Sequence, residues 1–270
     1  MATRRHVPRK RFGQHFLADP AIVERIIGAI DPRRGDHVVE IGPGLGALTE
    51  PLIARLDHLH VVEIDRDLSE RLRARYPAAL LTVHQADALE FDFADLPMPL
   101  RMVGNLPYNI STPLLFRAAG VATRCSDLHF MLQREVVDRM VAAPSAAEYG
   151  RLSVMLQYRF SIERLFDVPP GSFRPAPKVH SAVVRLVPRP AEELDAVSEA
   201  GLSRVVAQAF SMRRKTLKNT LSDLLSGSEL AEIGIDSRKR AQELPVAAFV
   251  TIANRLSLSG TGPRGRSLAK

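Results

Sequence analysis

Residues 38–47 read Val-Val-Glu-Ile-Gly-Pro-Gly-Leu-Gly-Ala, and this stretch decides the fold. Its apolar start is typical of a short buried strand, and its glycines are typical of a tight turn into a helix, predicted over 47–56. From residue 36 onward, short apolar runs alternate with amphipathic stretches. Because that alternation indicates repeated strand and helix units, it predicts an α/β domain with a doubly wound parallel sheet.

The domain organisation follows from where this alternation ends. Further strands are predicted at 60–65, 80–83, 101–104, 128–132, 158–168 and 182–187, with helices over 67–76 and 150–157 and one that begins at Ser111 as N-cap. Pro188-Arg189-Pro190 is typical of a linker, since the pattern beyond it turns helical. The sequence therefore predicts a first domain over 1–190, a small helical domain over 191–258 and a disordered tail over 259–270.

Composition and charge limit the class of protein. The chain has 270 residues, of which 46% are hydrophobic and 25% charged, which excludes a wholly disordered or fibrous protein. A formal net charge of +7 favours a polyanionic partner such as nucleic acid. Two basic groups are candidates for phosphate contacts: a flexible arm with Arg4, Arg5, Arg9, Lys10 and Arg11, and a predicted helix of the second domain with Arg213, Arg214, Lys215 and Lys218.

Cys125 is the single cysteine, and the sequence contains neither a CxxC nor an HExxH motif. We therefore expect a buried structural thiol, no disulfide and no bound metal, in a reducing, cytosolic compartment. The longest uncharged stretch, 102–116, is too short and too interrupted by Asn and Pro to span a bilayer. No apolar signal core follows the basic N-terminus, so neither secretion nor a membrane partner is expected.

The glycine turn and the acidic residues around it predict a nucleotide-like ligand. Gly42 and Gly44 allow close backbone approach, and Glu63, at the end of the second predicted strand, can accept both hydroxyls of a ribose. The turn also matches the dinucleotide fingerprint, so an NAD-dependent oxidoreductase is one alternative. Glu40 disfavours a pyrophosphate but would favour the cationic amino group of S-adenosylmethionine. Asp87, after the third predicted strand, can accept from the exocyclic amine of adenine or simply begin a surface turn.

Asn105-Leu106-Pro107-Tyr108 follows the fourth predicted strand, at the same sheet edge as the glycine turn. An aromatic amine such as N6 of adenine is a poor nucleophile because its lone pair is delocalised into the ring. The Asn105 side-chain oxygen and the Leu106 carbonyl, held rigid by Pro107, can accept its two hydrogens and favour attack on a sulfonium methyl. Tyr108 can stack on a base that has left its own stack. The motif predicts methyl transfer to adenine by positioning and electrostatics.

Four motifs, in order, resemble those of the ribosomal RNA adenine dimethyltransferases. They are Arg-Phe-Gly-Gln-His-Phe-Leu at 11–17, Val-Glu-Ile-Gly-Pro-Gly at 39–44, Asn-Leu-Pro-Tyr-Asn at 105–109, and Phe-Arg-Pro-Ala-Pro-Lys-Val at 173–179 with Ser181 and Val183. The resemblance runs from Arg9 to about Asn254 and is greatest to the bacterial members that act on the small ribosomal subunit. It implies a class I, Rossmann-like methyltransferase domain that uses S-adenosylmethionine as the methyl donor.

The resemblance also implies a substrate and a set of site residues. The implied substrate is two adjacent adenosines in a hairpin loop near the 3′ end of 16S RNA, each dimethylated at N6 in the small ribosomal subunit by a monomeric enzyme. The implied cofactor contacts are His15, Leu17, Gly42, Glu63, Asp87 and Asn105, with His15 in place of the Asn of many members. Phe173 is implied to contact the flipped base opposite Tyr108, although a core phenylalanine is the structural alternative.

Three other functions stay open at the level of sequence. A 23S RNA adenine methyltransferase of the antibiotic-resistance type would share the same site. A ribosome assembly factor would bind subunits without methyl transfer, and an oxidoreductase would bind NAD. Mapping of the modified nucleotide distinguishes the first alternative, and a cofactor titration distinguishes the last.

Overall fold

The computed structural model describes residues 14–258. The predicted basic arm and the predicted disordered tail at 259–270 lie outside these residues. The described residues divide into two compact units, the first formed by 14–138 and 160–188 and the second by 139–159 and 189–258.

The first unit is built on a sheet of seven strands in the described part of the chain, in the order β4-β3-β2-β5-β6-β9-β7. The strands of this unit are β1 (Phe16–Leu17), β2 (His37–Ile41), β3 (Leu59–Glu63), β4 (Leu81–Gln85), β5 (Leu100–Asn105), β6 (Cys125–Gln133), β7 (Phe160–Val168), β8 (Phe173–Arg174) and β9 (Ser181–Pro188). The first five strands in this order, β4, β3, β2, β5 and β6, pair in parallel, whereas β9 pairs antiparallel with both β6 and β7. The doubly wound α/β prediction is therefore confirmed, with an antiparallel edge that it did not include.

The helices that cover this sheet begin and end where the local chemistry requires. They are α1 (Pro20–Ile30), α2 (Thr49–Ile53), α3 (Arg66–Arg75), α4 (Ser111–Gly120) and α5 (Arg134–Val141), the last of which runs into the second unit. Asp19 caps α1 by accepting from two backbone N–H groups, and Pro20 occupies the first turn, where no N–H is needed. Ser111 is not an N-cap as predicted, because its hydroxyl donates to the Pro107 carbonyl at 2.9 Å and Ile110 takes the cap position.

The hydrophobic core beneath the glycine turn fixes the sheet edge that carries the site. Val38, Leu59 and Val61 have 0% exposed surface and pack in one cluster with the apolar faces of α1 and α2. Full burial of each aliphatic side chain contributes about 1.5–3 kcal/mol. The carboxyl ends of β2, β3 and β5 are therefore held in one rigid row.

The second unit is helical; it resumes at 189, close to the predicted boundary at 190, but it also includes 139–159, which the prediction placed in the first domain. Its helices are α6 (Arg151–Arg159), α7 (Glu199–Ala209), α8 (Leu217–Thr220), α9 (Gly227–Glu232) and α10 (Val246–Leu258). The segment 139–159 belongs to this unit rather than to the first domain, because its side chains complete the helical core. Tyr149 donates to the Leu244 carbonyl at 2.9 Å, and the Tyr158 hydroxyl accepts from the Ala196 N–H at 3.1 Å.

The structure also bears on the membrane, metal and thiol expectations. No helix between residues 14 and 258 is long and apolar enough to cross a bilayer. Within the same range, no three His, Cys, Asp or Glu side chains are grouped to hold a metal ion. Cys125 is half-buried at the start of β6, where burial raises the pKa of its thiol to about 12.

Arg101 on β5 joins the end of α1, the loop before β2 and strand β6 at the amino-terminal edge of the sheet. Its guanidinium donates to Asp127 at 2.9 and 2.8 Å and to Asp36 at 2.7 Å. It also donates to the carbonyls of Ile30 and Asp31, where α1 ends. One side chain, 14% exposed, thus neutralises two carboxylates and satisfies two helix-end carbonyls.

We expect Arg101→Ala to lower the free energy of unfolding by about 3 kcal/mol, because two partly buried carboxylates would lose their charged partner. Arg33→Ala is the matched control, since its ion pair with Asp31 is exposed and such pairs contribute about 0–1 kcal/mol. Urea unfolding measures both variants. Equal losses would contradict a special structural role for Arg101.

Candidate active site

A cavity of about 280 Å³ lies at the carboxyl ends of β2, β3 and β5. Its wall includes all the residues predicted to bind a cofactor: His15, Leu17, Glu40, Gly42, Gly44, Glu63, Asp87 and Asn105. Leu106, Pro107 and Tyr108 line it as well. The structure therefore brings the glycine turn, the acidic residues and the Asn-Leu-Pro-Tyr motif together in one place.

The glycine turn after β2 needs glycine for its backbone conformation and for close packing. Gly42, Gly44 and Gly46 have φ values of 65°, 58° and 89°, in the left-handed region that glycine adopts readily. A Cβ on Gly44 would lie 3.0 Å from the ring of Phe16 on β1. The turn thus presents bare backbone to the cavity and lies against the segment that carries His15 and Leu17.

Glu63 ends β3 and is oriented by backbone groups. Its two carboxylate oxygens accept from the N–H of Gly44 at 3.2 Å and of Asp65 at 2.9 Å. The side chain is buried, and that burial raises its pKa above the ordinary value. On the neighbouring wall, the Asp87 carboxylate accepts from the Leu89 N–H at 2.9 Å. Both acidic groups are held in fixed orientations rather than extended into solvent.

Glu40 is the most deeply buried carboxyl group of the cavity wall. Burial raises its pKa to about 8, and the nearby charge of Glu63 acts in the same direction. The hydroxyl of Thr49 donates to its carboxylate at 2.6 Å and opposes the rise. A group with this pKa is mostly protonated at neutral pH, and a cation placed beside it would favour its ionised form.

Asn105 ends β5, and its side-chain amide is oriented by the backbone of His15, the residue before β1. Its Nδ2 donates to the backbone carbonyl of His15 at 3.0 Å, so the side-chain oxygen is left as an acceptor. Gly104 makes this position possible, because a Cβ there would lie 2.4 Å from the carbonyl oxygen of Ile41 on β2. Sequence reasoning did not identify Gly104, since the need for glycine arises from contact between two strands far apart in the chain.

Tyr108 is held by contacts from two other segments. Its hydroxyl lies 2.6 Å from the Ser181 hydroxyl on β9, and the ring of His15 stacks on its ring with centroids 5.5 Å apart. His15 is itself fixed by Nδ1, which lies 2.8 Å from the Pro175 carbonyl. Ser181 follows the fourth motif in the sequence but had no predicted role. Ile64 was also missed; it follows Glu63 and lines the cavity with 45% of its surface exposed.

The structure corrects the expectation for Phe173. Its ring is 0% exposed and belongs to the hydrophobic cluster under the sheet. Strand β8 places it opposite Leu17 of β1, and it does not line the cavity. A ring with no exposed surface cannot contact a flipped base in this arrangement, so the core alternative holds.

In the second unit, the prediction that one helix carries the whole basic cluster is wrong. Helix α7 ends at Ala209, and Arg213, Arg214 and Lys215 lie in the turns before α8, with Lys218 on α8 itself; all four are exposed. The chain turns here because the Leu217 and Lys218 N–H groups donate to the carbonyls of Lys239 and Ser237, at 2.8 and 2.9 Å.

These backbone hydrogen bonds bring a second basic segment beside the first. Segment 236–240 contributes Arg238, Lys239 and Arg240, all exposed. We call the combined set the basic surface: Arg213, Arg214, Lys215, Lys218, Arg238, Lys239 and Arg240. Segments 211–218 and 236–240 contain one acidic residue, Asp236, which pairs with Arg238 at 3.1 Å. The second segment was missed because its contribution depends on pairing across about twenty residues.

The doubly wound sheet, the glycine turn and the acidic residue that ends β3 define a class I methyltransferase that uses S-adenosylmethionine. Comparison with known proteins narrows this class. The model of the family described as ribosomal RNA adenine dimethylase matches residues 5–258, and the chain belongs to that family. The alternative of an NAD-dependent oxidoreductase is therefore wrong.

Relatives and solved structures agree with this membership. The chain is 62% identical to "Ribosomal RNA small subunit methyltransferase A" of Aromatoleum aromaticum, over 93% of this chain and 95% of that protein. A protein of the same name from Dechloromonas aromatica is 60% identical, over 93% of this chain and 99% of that protein. The crystal structure of 23S rRNA methyltransferase ErmE matches with a TM-score of 0.66 at 26% identity, and the match covers 90% of this chain and 99% of that one. A dimethyladenosine transferase from Plasmodium falciparum has the same fold, with a TM-score of 0.77 at 24% identity over 88% and 96%.

Proposed function

We propose that this chain transfers methyl groups from S-adenosylmethionine to N6 of two adjacent adenosines in a hairpin loop near the 3′ end of 16S RNA, in the small ribosomal subunit. The observation that carries the proposal is the convergence of Asn105, Tyr108, Glu40, Glu63 and Asp87 on one cavity beside the glycine turn. The names of the relatives at about 60% identity favour the small subunit over 23S RNA. This substrate would place the monomeric enzyme in the cytoplasm.

The residues of the cavity fit the proposed cofactor group by group. Glu63 would accept the ribose hydroxyls, and Asp87 would accept from the adenine amine. The glycine turn, with Gly42 and Gly44, would leave room for the methionine part, whose cationic amino group suits Glu40. His15 and Leu17, on the segment packed over the turn, would close the same end of the cavity. When bound, S-adenosylmethionine supplies a methyl carbon on a cationic sulfur.

The Asn-Leu-Pro-Tyr segment would act on the adenine amine. The Asn105 side-chain oxygen and the Leu106 carbonyl would accept the two N6 hydrogens and direct the nitrogen lone pair at the methyl carbon. Pro107 would keep the carbonyl rigid, and Tyr108 would stack on the flipped base. The new N–C bond forms as the S–C bond breaks, its electron pair stays on sulfur in the departing thioether, and the amine then loses one proton to solvent. No covalent bond to the protein is needed.

The basic surface would supply affinity for ribosomal RNA. Its exposed guanidinium and ammonium groups can pair with backbone phosphates and release counterions. A cavity that holds a single adenine cannot select one hairpin, so a second contact region is required. Two basic segments held together by backbone hydrogen bonds give that region a defined shape.

Methyl transfer is tested by incubating the protein with labelled S-adenosylmethionine and small subunits from cells that lack the modification. We expect dimethyladenosine at the two adjacent positions of 16S RNA, located by mass mapping. Label in 23S RNA instead would favour the antibiotic-resistance alternative. Binding to subunits without label, while a known methyltransferase labels them, would favour the assembly-factor alternative.

Cofactor affinity is expected to rise with pH between about 6 and 8 and to fall at higher pH, where the amino group of the cofactor loses its own proton. In the empty protein the Glu40 pKa of about 8 keeps the carboxyl protonated, and a cationic amino group beside it would require the ionised form. Binding therefore releases a proton, and the dissociation constant falls up to about tenfold per pH unit. Calorimetric titrations in buffers of different ionisation heat measure this proton release.

Glu40→Gln is the matched variant, because it keeps an acceptor for Thr49 and cannot ionise. It should bind the cofactor more weakly and without the pH dependence. The raised pKa means that the stability contribution of Glu40 is full below about 4.5 and is lost as pH rises toward 8. The empty variant should therefore be more stable at pH 7 by on the order of 3 kcal/mol. Binding by the wild type that does not vary with pH would contradict this assignment.

A further inference from the structure

We infer that Ser181 is a positioning residue for methyl transfer, holding the phenolic oxygen of Tyr108 so that its ring keeps a fixed orientation for stacking on the target adenine. The inference rests on the proposed function, in which Tyr108 stacks on the flipped base. Its basis is the 2.6 Å contact between the two hydroxyl oxygens.

Ser181 is a suitable anchor because its own position is fixed on both sides. It begins β9, where it pairs with Gln133 of β6 and with Val168 of β7. The residue has 0% exposed surface, so water does not compete for its hydroxyl. A hydroxyl pair of this length, removed from water, is strongly directional and costly to leave unmade.

The stacked ring of His15 and the Ser181 hydroxyl constrain Tyr108 in different ways. The His15 ring stacks on one face at an interplanar angle of 26°, which limits tilting of the phenol ring, and in the proposed function the base takes the opposite face. The hydroxyl contact holds the far end of the ring, which limits sliding. Loss of the anchor should therefore leave the ring present but less well placed, and an error near 1 Å in placement costs about 10²-fold at most.

The first test compares turnover of Ser181→Ala, Tyr108→Phe and the double variant on small subunits. We expect each single variant to lose about tenfold in kcat, with cofactor affinity and KM for the subunit nearly unchanged. The double variant should lose no more than either single one, because both changes remove the same contact. Losses that multiply, or full kcat in both single variants, would overturn the inference. A wild-type protein without methyl transfer would instead refute the proposed function.

Ser172→Ala is the matched control. Ser172 is also buried, in the same unit, and its hydroxyl donates to Asp19 at 3.0 Å without contacting Tyr108. It should lose stability comparable to Ser181→Ala but keep the wild-type kcat. An equal loss of kcat in both serine variants would show that general destabilisation, rather than ring placement, explains the effect.

A spectroscopic measurement separates ring placement from activity. The chain has four tyrosines and no tryptophan, so isotope labelling of tyrosine rings gives few NMR signals. The Tyr108 signals are those missing from Tyr108→Phe. In Ser181→Ala they should shift and show faster ring motion, while the signals of the other three tyrosines stay in place. Unchanged Tyr108 signals would overturn the anchor.

Discussion

Replacing Asn105 with alanine is expected to lower the rate of methyl transfer about 10²-fold or more, the scale of losing one preorganised polar contact to a developing charge. The amide nitrogen of Asn105 is committed to the His15 carbonyl at 3.0 Å, which leaves its oxygen as the acceptor for the adenine amine. Alanine would remove that acceptor and leave the Leu106 carbonyl alone. Single-turnover assays with saturating cofactor and subunits measure the effect on the chemical step.

Two further variants isolate the role of the oxygen. Asn105→Asp keeps an acceptor but places an anion against the His15 carbonyl, so it should misplace the group and lose rate as well. Gln85→Ala removes an exposed amide at the end of the edge strand β4, outside the cavity wall, and should keep the wild-type rate. A wild-type rate in Asn105→Ala would refute the catalytic assignment.

The sequence predicts those features that depend on neighbours in the chain. The strand before Gly42, the helix after the turn and the acidic residue at the end of β3 are each signalled by local pattern. Parallel pairing then places Glu63 and Asn105 beside the turn, because the carboxyl ends of parallel strands share one edge. The residues of the cavity wall proposed to hold the cofactor and the adenine amine could therefore be named from sequence.

The features that sequence reasoning missed depend on distant contacts. One example is the assignment of 139–159 to the second unit. Tyr149 in this segment donates to the carbonyl of Leu244, which is 95 residues away. The family resemblance implied that Phe173 contacts the base, yet β8 pairs with β1 and the ring is buried. The pairing of β9 between β6 and β7 likewise carries Ser181 to Tyr108. No local pattern specifies which partner a strand will take.

Neutralising the basic surface is expected to flatten the salt dependence of subunit binding. If Arg213, Arg214, Lys215 and Lys218 contact phosphates, replacing all four with Gln should reduce the slope of log affinity against log salt by about 3, at roughly 0.7–0.9 per contact. Replacing Lys239 and Arg240 should have a similar effect per residue, because backbone hydrogen bonds hold the two segments side by side, whereas Arg238 should contribute less because it pairs with Asp236.

A third set of replacements serves as the control for these two sets of the basic surface. Arg33, Arg34 and Arg55 in the first unit are also cationic, but each pairs with an acidic side chain, so their replacement should leave the slope unchanged. Cofactor affinity should stay constant in all three sets, because none of the replaced residues lines the cavity. A wild-type slope after replacing 238–240 would limit RNA contact to the first segment. A wild-type slope in both sets would show that the basic surface is a solvated face, and binding would then have to depend on other cations of the chain.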